Sequence, residues 1–289
     1  MLNYPDYLFN MNKDFFSQDL GDNKKIFILG SSHIYPIDPD VITEHLEESD
    51  YRFDVYNLGI ASDDFEERER TLDMILAKKP EIVMYGIEPR AFETSGRTIS
   101  QTSESPLFHV GSIGELFDSL DLGDKKGVFK NPKFALIRSL SPVEEIQSNP
   151  YSNSPFFRYM PDVAKIAAHN ELNDIKIVYK KQILPVEKNS SLYVLDNMIN
   201  KLEKNNIKVI IFVTPHSKFY LETYPENQAR IFQQILDNIS EKHEIMIFSL
   251  YDNYADLNVW NNHTHLAANE NTNFYSKDIA DFIINKLER

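Results

Sequence analysis

The sequence predicts a single three-layer α/β/α domain built on a five-stranded parallel sheet, interrupted by a partly helical insertion. Three observations lead there. Short apolar runs alternate with amphipathic helical patterns, an order that implies right-handed βαβ units. The runs show no polar alternation, as strands covered on both faces do not. Of only nine glycines in 289 residues, three close the first three runs, at Gly30, Gly59 and Gly86.

Residues 1–22 are polar and aromatic without clear periodicity and read as an arm on the body. The domain proper spans 23–289. KKIFILG (24–30) and RFDVYNLG (52–59) are the first two strands, joined by a helix that Asp38-Pro39 opens. Residues 63–80 form a second helix, capped by Asp63 or Asp64 and stopped at Pro80, and EIVMYG (81–86) is the third strand. Residues 93–190 break the rhythm with a Ser/Thr-rich stretch, two Asn-Pro turns (131–132, 149–150) and the aromatic run NSPFFRYMP. They read as an insertion over the sheet edge, a lid or cap. Alternation then resumes with a helix at 190–206, strand 207–215, helix 226–243, strand 244–250 and a final helix at 271–289.

The formal charge of −14 excludes a general binder of nucleic acid, whose phosphates it repels. The absence of cysteine excludes a disulfide scaffold, a thiolate nucleophile and Cys-ligated metal. No basic-then-apolar leader opens the chain, and no run reaches the ~20 apolar residues of a membrane helix. The chain therefore reads as cytoplasmic as written, or extracytoplasmic if a leader or anchor lies outside it.

Ligands of open parallel sheets sit at the carboxyl ends of the strands. The residues that can carry chemistry gather there. Gly30-Ser31-Ser32-His33 follows the first strand, where helix N-terminal amides lie near enough to stabilise an oxyanion. Ser32 is placed like a nucleophile, and a serine needs a base. His265, before the last helix, is the base candidate. His263, two residues earlier, faces the same side in an extended chain. His216 ends the fourth strand and is a candidate for substrate contact. No spaced metal-ligand set is present, and neither a P-loop nor a GxGxxG fingerprint, so no metal or cofactor is expected.

These landmarks resemble the SGNH (GDSL-like) hydrolase superfamily in order and spacing from about residue 24 to 289. There a Gly-Asp-Ser motif supplies the serine, a glycine and an asparagine supply oxyanion donors, and a late Asp-x-x-His completes a triad. Gly30-Ser31-Ser32 matches the first motif with Ser31 for Asp. Gly59 matches the second. Gly86-Ile87-Glu88-Pro89 stands at the third, with Glu88 for Asn, and Asn262-His263-Thr264-His265 at the fourth, with Asn262 for Asp. An ionised Glu88 has no N–H to donate. It opposes an oxyanion unless protonated or paired, with Arg90 the expected partner. His33 is placed to fill the space left by the missing Asp. Asn262 can orient an imidazole, and Asp252 or Asp256 is an alternative acid.

The short motifs also resemble the divergent membrane-linked branch that includes DltD and the alginate O-acetylation proteins. The resemblance implies a serine esterase or O-acyltransferase on acyl esters, with a glycan or envelope polymer as substrate and a membrane protein as partner. Two alternatives stay open: a catalytically inactive binding or assembly module of the same fold, and a flavodoxin-like anion binder using the amides after Gly30.

Overall fold

The structure, a computed structural model, describes residues 4–94, 151–157, 161–168 and 181–288. Strands β1 (Lys25–Gly30), β2 (Asp54–Asn57), β3 (Ile82–Ile87), β4 (Lys208–Val213) and β5 (Ile247–Ser249) form one five-stranded sheet in the order β2-β1-β3-β4-β5. Every neighbouring pair is parallel. The order switches at β1, with β2 laid on one side of it and β3 on the other. Such a switch point opens a crevice at the carboxyl edge.

Alternation along each strand divides the core into two. Phe27 and Leu29 of β1, Val83 and Tyr85 of β3, and Val209 and Ile211 of β4 face one layer. That layer holds helices α1 (Tyr4–Phe16), α3 (Phe65–Ala77), α4 (Ser190–Lys204) and α6 (Glu226–His243). Ile26, Ile28, Ile82, Met84, Ile210 and Phe212 face the other, covered by α2 (Pro39–Glu48) and α7 (Asn273–Leu287). A short helix, α5 (Lys218–Thr223), follows β4 and is capped by Ser217. Each fully buried large apolar side chain is worth about 1.5–3 kcal/mol.

Local chemistry sets the element ends. Asp38 caps α2 with Pro39 in its first turn. Asp64, not Asp63, caps α3 by accepting from Glu67 N–H. Asp63 instead turns inward: Arg68 Nη2 donates to it at 2.9 Å and Tyr85 Oη at 2.9 Å, and Arg68 Nη2 also donates to Leu58 O at 3.1 Å. That buried pair ties the start of α3 to the chain just before Gly59.

Two expectations change. The stretch expected as a non-periodic arm contains α1, whose Phe15 and Phe16 are buried against Tyr56 and Phe27. The fifth strand begins at Ile247 rather than 244, because Glu244 takes a left-handed conformation (φ 53°) that ends α6 and leaves Met246 exposed. Both expected Asn-Pro turns and most of the 93–190 insertion lie outside the described residues. Of its described part, Phe156 packs on Phe15, and Phe157 on Tyr35 and Tyr151.

The three strand-end glycines have a steric reason. A Cβ on Gly30, Gly59 or Gly86 would come within 3.1, 2.7 or 2.7 Å of the Ile34 side chain. Gly30 also has φ +148°, which side chains rarely adopt, and it lies beside Gly86 in register. The close approach that these glycines allow is made by Ile34. The three glycines leave a hollow, and Ile34 fills it, fully buried. Ser32–Ile34 is a single 3-10 turn, so anchoring Ile34 anchors Ser32 and His33.

Gly86→Ala tests this hollow. Its Cβ would also meet Phe212 Cζ at 2.6 Å. The expected loss, read by urea unfolding, is roughly 1–3 kcal/mol, the usual cost of overpacking. An unchanged midpoint would contradict the cradle.

Candidate active site

β1 and the Ile34 anchor hold Ser32 at the crevice, and Ser31 caps its turn. His265 arrives from the far end of the chain on a closed hairpin. Trp260 pairs with Leu266 as an antiparallel bridge, and the N–H groups of Asn261 and Asn262 both donate to His265 O. Ser32 Oγ and His265 Nε2 are 2.8 Å apart.

The hairpin fixes the imidazole's tautomer. Asn262 Oδ1 receives the backbone N–H of Thr264 and of His265, both at 3.0 Å. Only the oxygen of an amide can accept two N–H donors, so the side chain's orientation is settled. The same oxygen lies 3.1 Å from His265 Nδ1, which must therefore carry the proton. Nε2 is left bare to accept from Ser32. Thr264 Oγ1, at 2.9 Å from Nδ1 and 3.1 Å from Asn262 Oδ1, braces the same corner.

Glu88 is buried at the end of β3, but its partner is not Arg90. His33 Nε2 bonds to Glu88 Oε2 at 2.8 Å, and Ser31 Oγ donates to Oε1 at 2.9 Å. The two departures at 31 and 88 thus meet each other. Where the motif has an acid at the first place and an amide at the second, this chain has a hydroxyl and an acid in contact. Burial resists ionisation of Glu88, yet the charge of His33 and its hydrogen bond, with His216 and His265 beyond, hold the carboxyl at about 2. The His33 ring stacks on His265 with centroids 4.3 Å apart and an interplanar angle of 29°. Burial first, and then the charge of His33, push His265 down to about 3. At neutral pH His265 is an uncharged acceptor.

The other candidates fall differently. Gly59 N–H is not a free oxyanion donor, because it donates to Asn57 Oδ1 at 3.0 Å. Asn57 Nδ2 donates to Ile34 O and Ile37 O at 2.7 and 2.8 Å, which turns its oxygen onto Gly59. Ser32 N–H has no partner among the described residues. His216 is wholly buried, stacked on Tyr220 at 4.2 Å and edge-on to His33 at 5.3 Å. Neither of its ring nitrogens has a partner among the described residues, and burial pushes its pKa well down. It lies beneath the site rather than on the cavity wall. His263 does not share a face with His265, because the turn between them is not extended; its ring meets Phe219. Asp252 and Asp256 are exposed, and Asp256 pairs with Lys218. Sequence reasoning missed Thr264 as a brace and Asn57 as the anchor of the Ser32 turn. Both depend on turn geometry that motif spacing does not encode.

Ser31, Ser32, His33, Glu88 and His265 line one cavity of about 620 Å³. Its remaining wall comes from the start of α3, the segment after β3 and the start of α4. Among the described lining residues Ala91 is the only apolar one. Among the described residues no group of His, Cys, Asp or Glu is arranged to hold a metal. No described helix is long and apolar enough to cross a membrane.

No protein-family model matches the chain, and no curated protein matches it. Among solved structures it is similar to the psychrotrophic esterase EstA from Pseudoalteromonas, inhibited by monoethylphosphonate (11% identity, 93% of this chain and 100% of that one, TM-score 0.47). It is similar to a GDSL-like lipase from Bacteroides thetaiotaomicron (9%, 98% of each chain, TM-score 0.45). It is also similar to TesA (9%, 78% of this chain and 77% of that one, TM-score 0.38). With each of these TM-scores below 0.5, the functional reading rests on the site's own geometry.

Two outcomes are expected. Asn262→Asp places a carboxylate where four donors converge, so the His265 titration followed by NMR moves upward; an unmoved titration would contradict the assigned contact. Stability falls on acidification. His265 and His216, depressed in the fold, bind fewer protons than in the unfolded chain below about 6.5, and Glu88 does so below about 4.5. All three make stability rise with pH, by about 1.4 kcal/mol per pH unit for each excess proton bound by the unfolded chain. The unfolding midpoint therefore drops steadily from pH 6.5 toward 4, whereas a flat profile would contradict these burials.

Proposed function

We propose that the protein is a serine esterase or O-acyltransferase of SGNH type, with Ser32 as nucleophile and His265 as general base. The observation that carries this reading is the 2.8 Å contact of Ser32 Oγ with an imidazole nitrogen left bare by the Asn262 contact. Ser32 Oγ attacks the acyl carbonyl as its proton passes to His265 Nε2. The imidazolium returns that proton to the leaving alcohol oxygen, which departs and leaves an acyl-Ser32 ester. Water or an acceptor hydroxyl then resolves the ester with His265 again as base. Asn262 Oδ1 holds the imidazole's orientation through both halves.

Ser32 N–H, without a partner, is the first oxyanion donor. Gly59 N–H joins only by leaving Asn57 Oδ1. The exposed Arg90 on the same cavity wall supplies positive charge. A neutral Asn262 stabilises imidazolium less than a carboxylate does, so turnover is slow beside that of a triad with Asp.

The cavity's lining favours a short acyl group on a polar alcohol. Its described lining offers hydroxyls from Ser62, Ser190 and Ser191 and charges from Asp64, Glu66, Glu67, Glu93, Arg90 and Lys181, with Ala91 as its apolar residue. Ser191 is 9% exposed and makes no hydrogen bond among the described residues, so its hydroxyl is available to a ligand. A glycan or envelope polymer fits that chemistry, and O-acyl transfer between such alcohols is the finer form of the reading. Burial of both partners in the Glu88–His33 pair supports the enzyme over an inactive binding module, because the carboxylate that stands at the third motif is paired rather than left bare beside Ser32.

A fluorophosphonate probe tests the reading. Native protein is expected to be labelled, and Ser32→Ala and His265→Ala to lose labelling by at least about a hundredfold, the usual scale of general-base catalysis. No labelling of folded native protein between pH 4 and 9 would favour the binding module. Acetyl esters are expected to turn over faster than esters of eight carbons or more, and the reverse order would contradict the polar cavity.

A further inference from the structure

The Glu88–His33 pair has no part in the proton transfer described above, yet it lies against the base. We propose that His33, held by Glu88, is a positioning residue that keeps His265 in its uncharged, proton-accepting form far into acid, so that the site works in an acidic setting. The inference rests on the reading of Ser32 and His265 given above.

The geometry is that of an imidazole paired with a buried carboxylate and laid over a second imidazole. His33 bonds to Glu88 at 2.8 Å, and Ser31 fixes the other carboxylate oxygen at 2.9 Å. The side chains of His33 and Glu88 are only 4% and 11% exposed, so water does little to screen them. His33 follows Ser32 directly, and the anchored Ile34 prevents its ring from swinging away. Its face covers His265 at 4.3 Å. Two imidazoles at that range disfavour each other's protonation.

Other groups surround His265 as well. Glu88, from the end of β3, favours protonation of His265 but is spent on His33. Arg90, from the same segment, and His263, from the hairpin, both oppose protonation. His216, beneath His33, is neutral and buried. Asn262, Thr264 and Ser32 contact the ring without charge. The balance leaves His33 as the largest charged influence, after burial itself.

The experiment follows His265 by NMR of its ring nitrogens in the native protein, His33→Gln and His33→Phe, with folding checked by near-UV circular dichroism. Gln keeps a donor to Glu88 and removes the ring; Phe keeps a ring over His265 and removes the charge. Native His265 is expected to titrate well below 6.5, and to move up by at least about one unit in both variants. A shift with Gln alone would make the ring's packing the cause and overturn the proposal. So would an unmoved His265 in either folded variant, or a native titration near 6.5. The acid limb of fluorophosphonate labelling is expected to move with the titration. Absent labelling alongside displaced titrations would sink the esterase reading and leave this inference standing.

Discussion

One packing contact underlies the site: the Ile34 side chain in the hollow that Gly30, Gly59 and Gly86 leave above the sheet. Three strand ends converge on it, and no side chain larger than hydrogen fits at any of the three. Because interiors are close-packed, such a contact positions what is attached to it within fractions of an ångström. Ser32 and His33 are attached to it by a single turn. Asn57 adds a polar lock, donating to the carbonyls of Ile34, which ends that turn, and of Ile37 just beyond it. The nucleophile therefore belongs to the rigid sheet edge rather than to a loop, which is what preorganised chemistry needs.

Against that fixed edge, the site's departures from its motif become mutually consistent. The carboxylate at 88 meets a hydroxyl at 31 and an imidazole at 33, so its charge is satisfied locally. Asn262 accepts four donors with one oxygen, which gives a neutral amide the orienting function of a carboxylate. A base that is neutral at rest suits a neutral anchor. The cost falls on the imidazolium formed in the transition state, which Asn262 stabilises weakly and His33 opposes.

Most of the fold was legible in the sequence because its signals are local. β1, β3 and β4 are short, apolar on both faces and bounded by charge or glycine, and their helices carry caps at Asp38, Asp64 and Asn189. The placing of Ser32 and His265 at one edge followed from topology alone. What escaped was non-local or conformational. The partner of Glu88 lies 55 positions away in the chain, and nothing in the sequence chooses His33 over the adjacent Arg90. Gly59 matched a motif by position, yet its N–H is taken by Asn57, a contact two residues long that only the turn creates. His263 and His265 separate because a closed hairpin replaces the extended chain. Helix α1 was missed although Tyr4, Tyr7, Leu8, Met11 and Phe15 recur with helical period, because Asn, Asp and Lys between them make the stretch read as polar.

The most direct test of the central claim is to trap the acyl-enzyme. Native protein mixed rapidly with p-nitrophenyl acetate should release a burst of about one p-nitrophenol per chain, the fingerprint of a covalent intermediate. Mass spectrometry after acid quench should place one acetyl group on Ser32. A linear release without a burst, together with no acetyl on Ser32 in folded protein, would contradict the claim that His265 activates this serine.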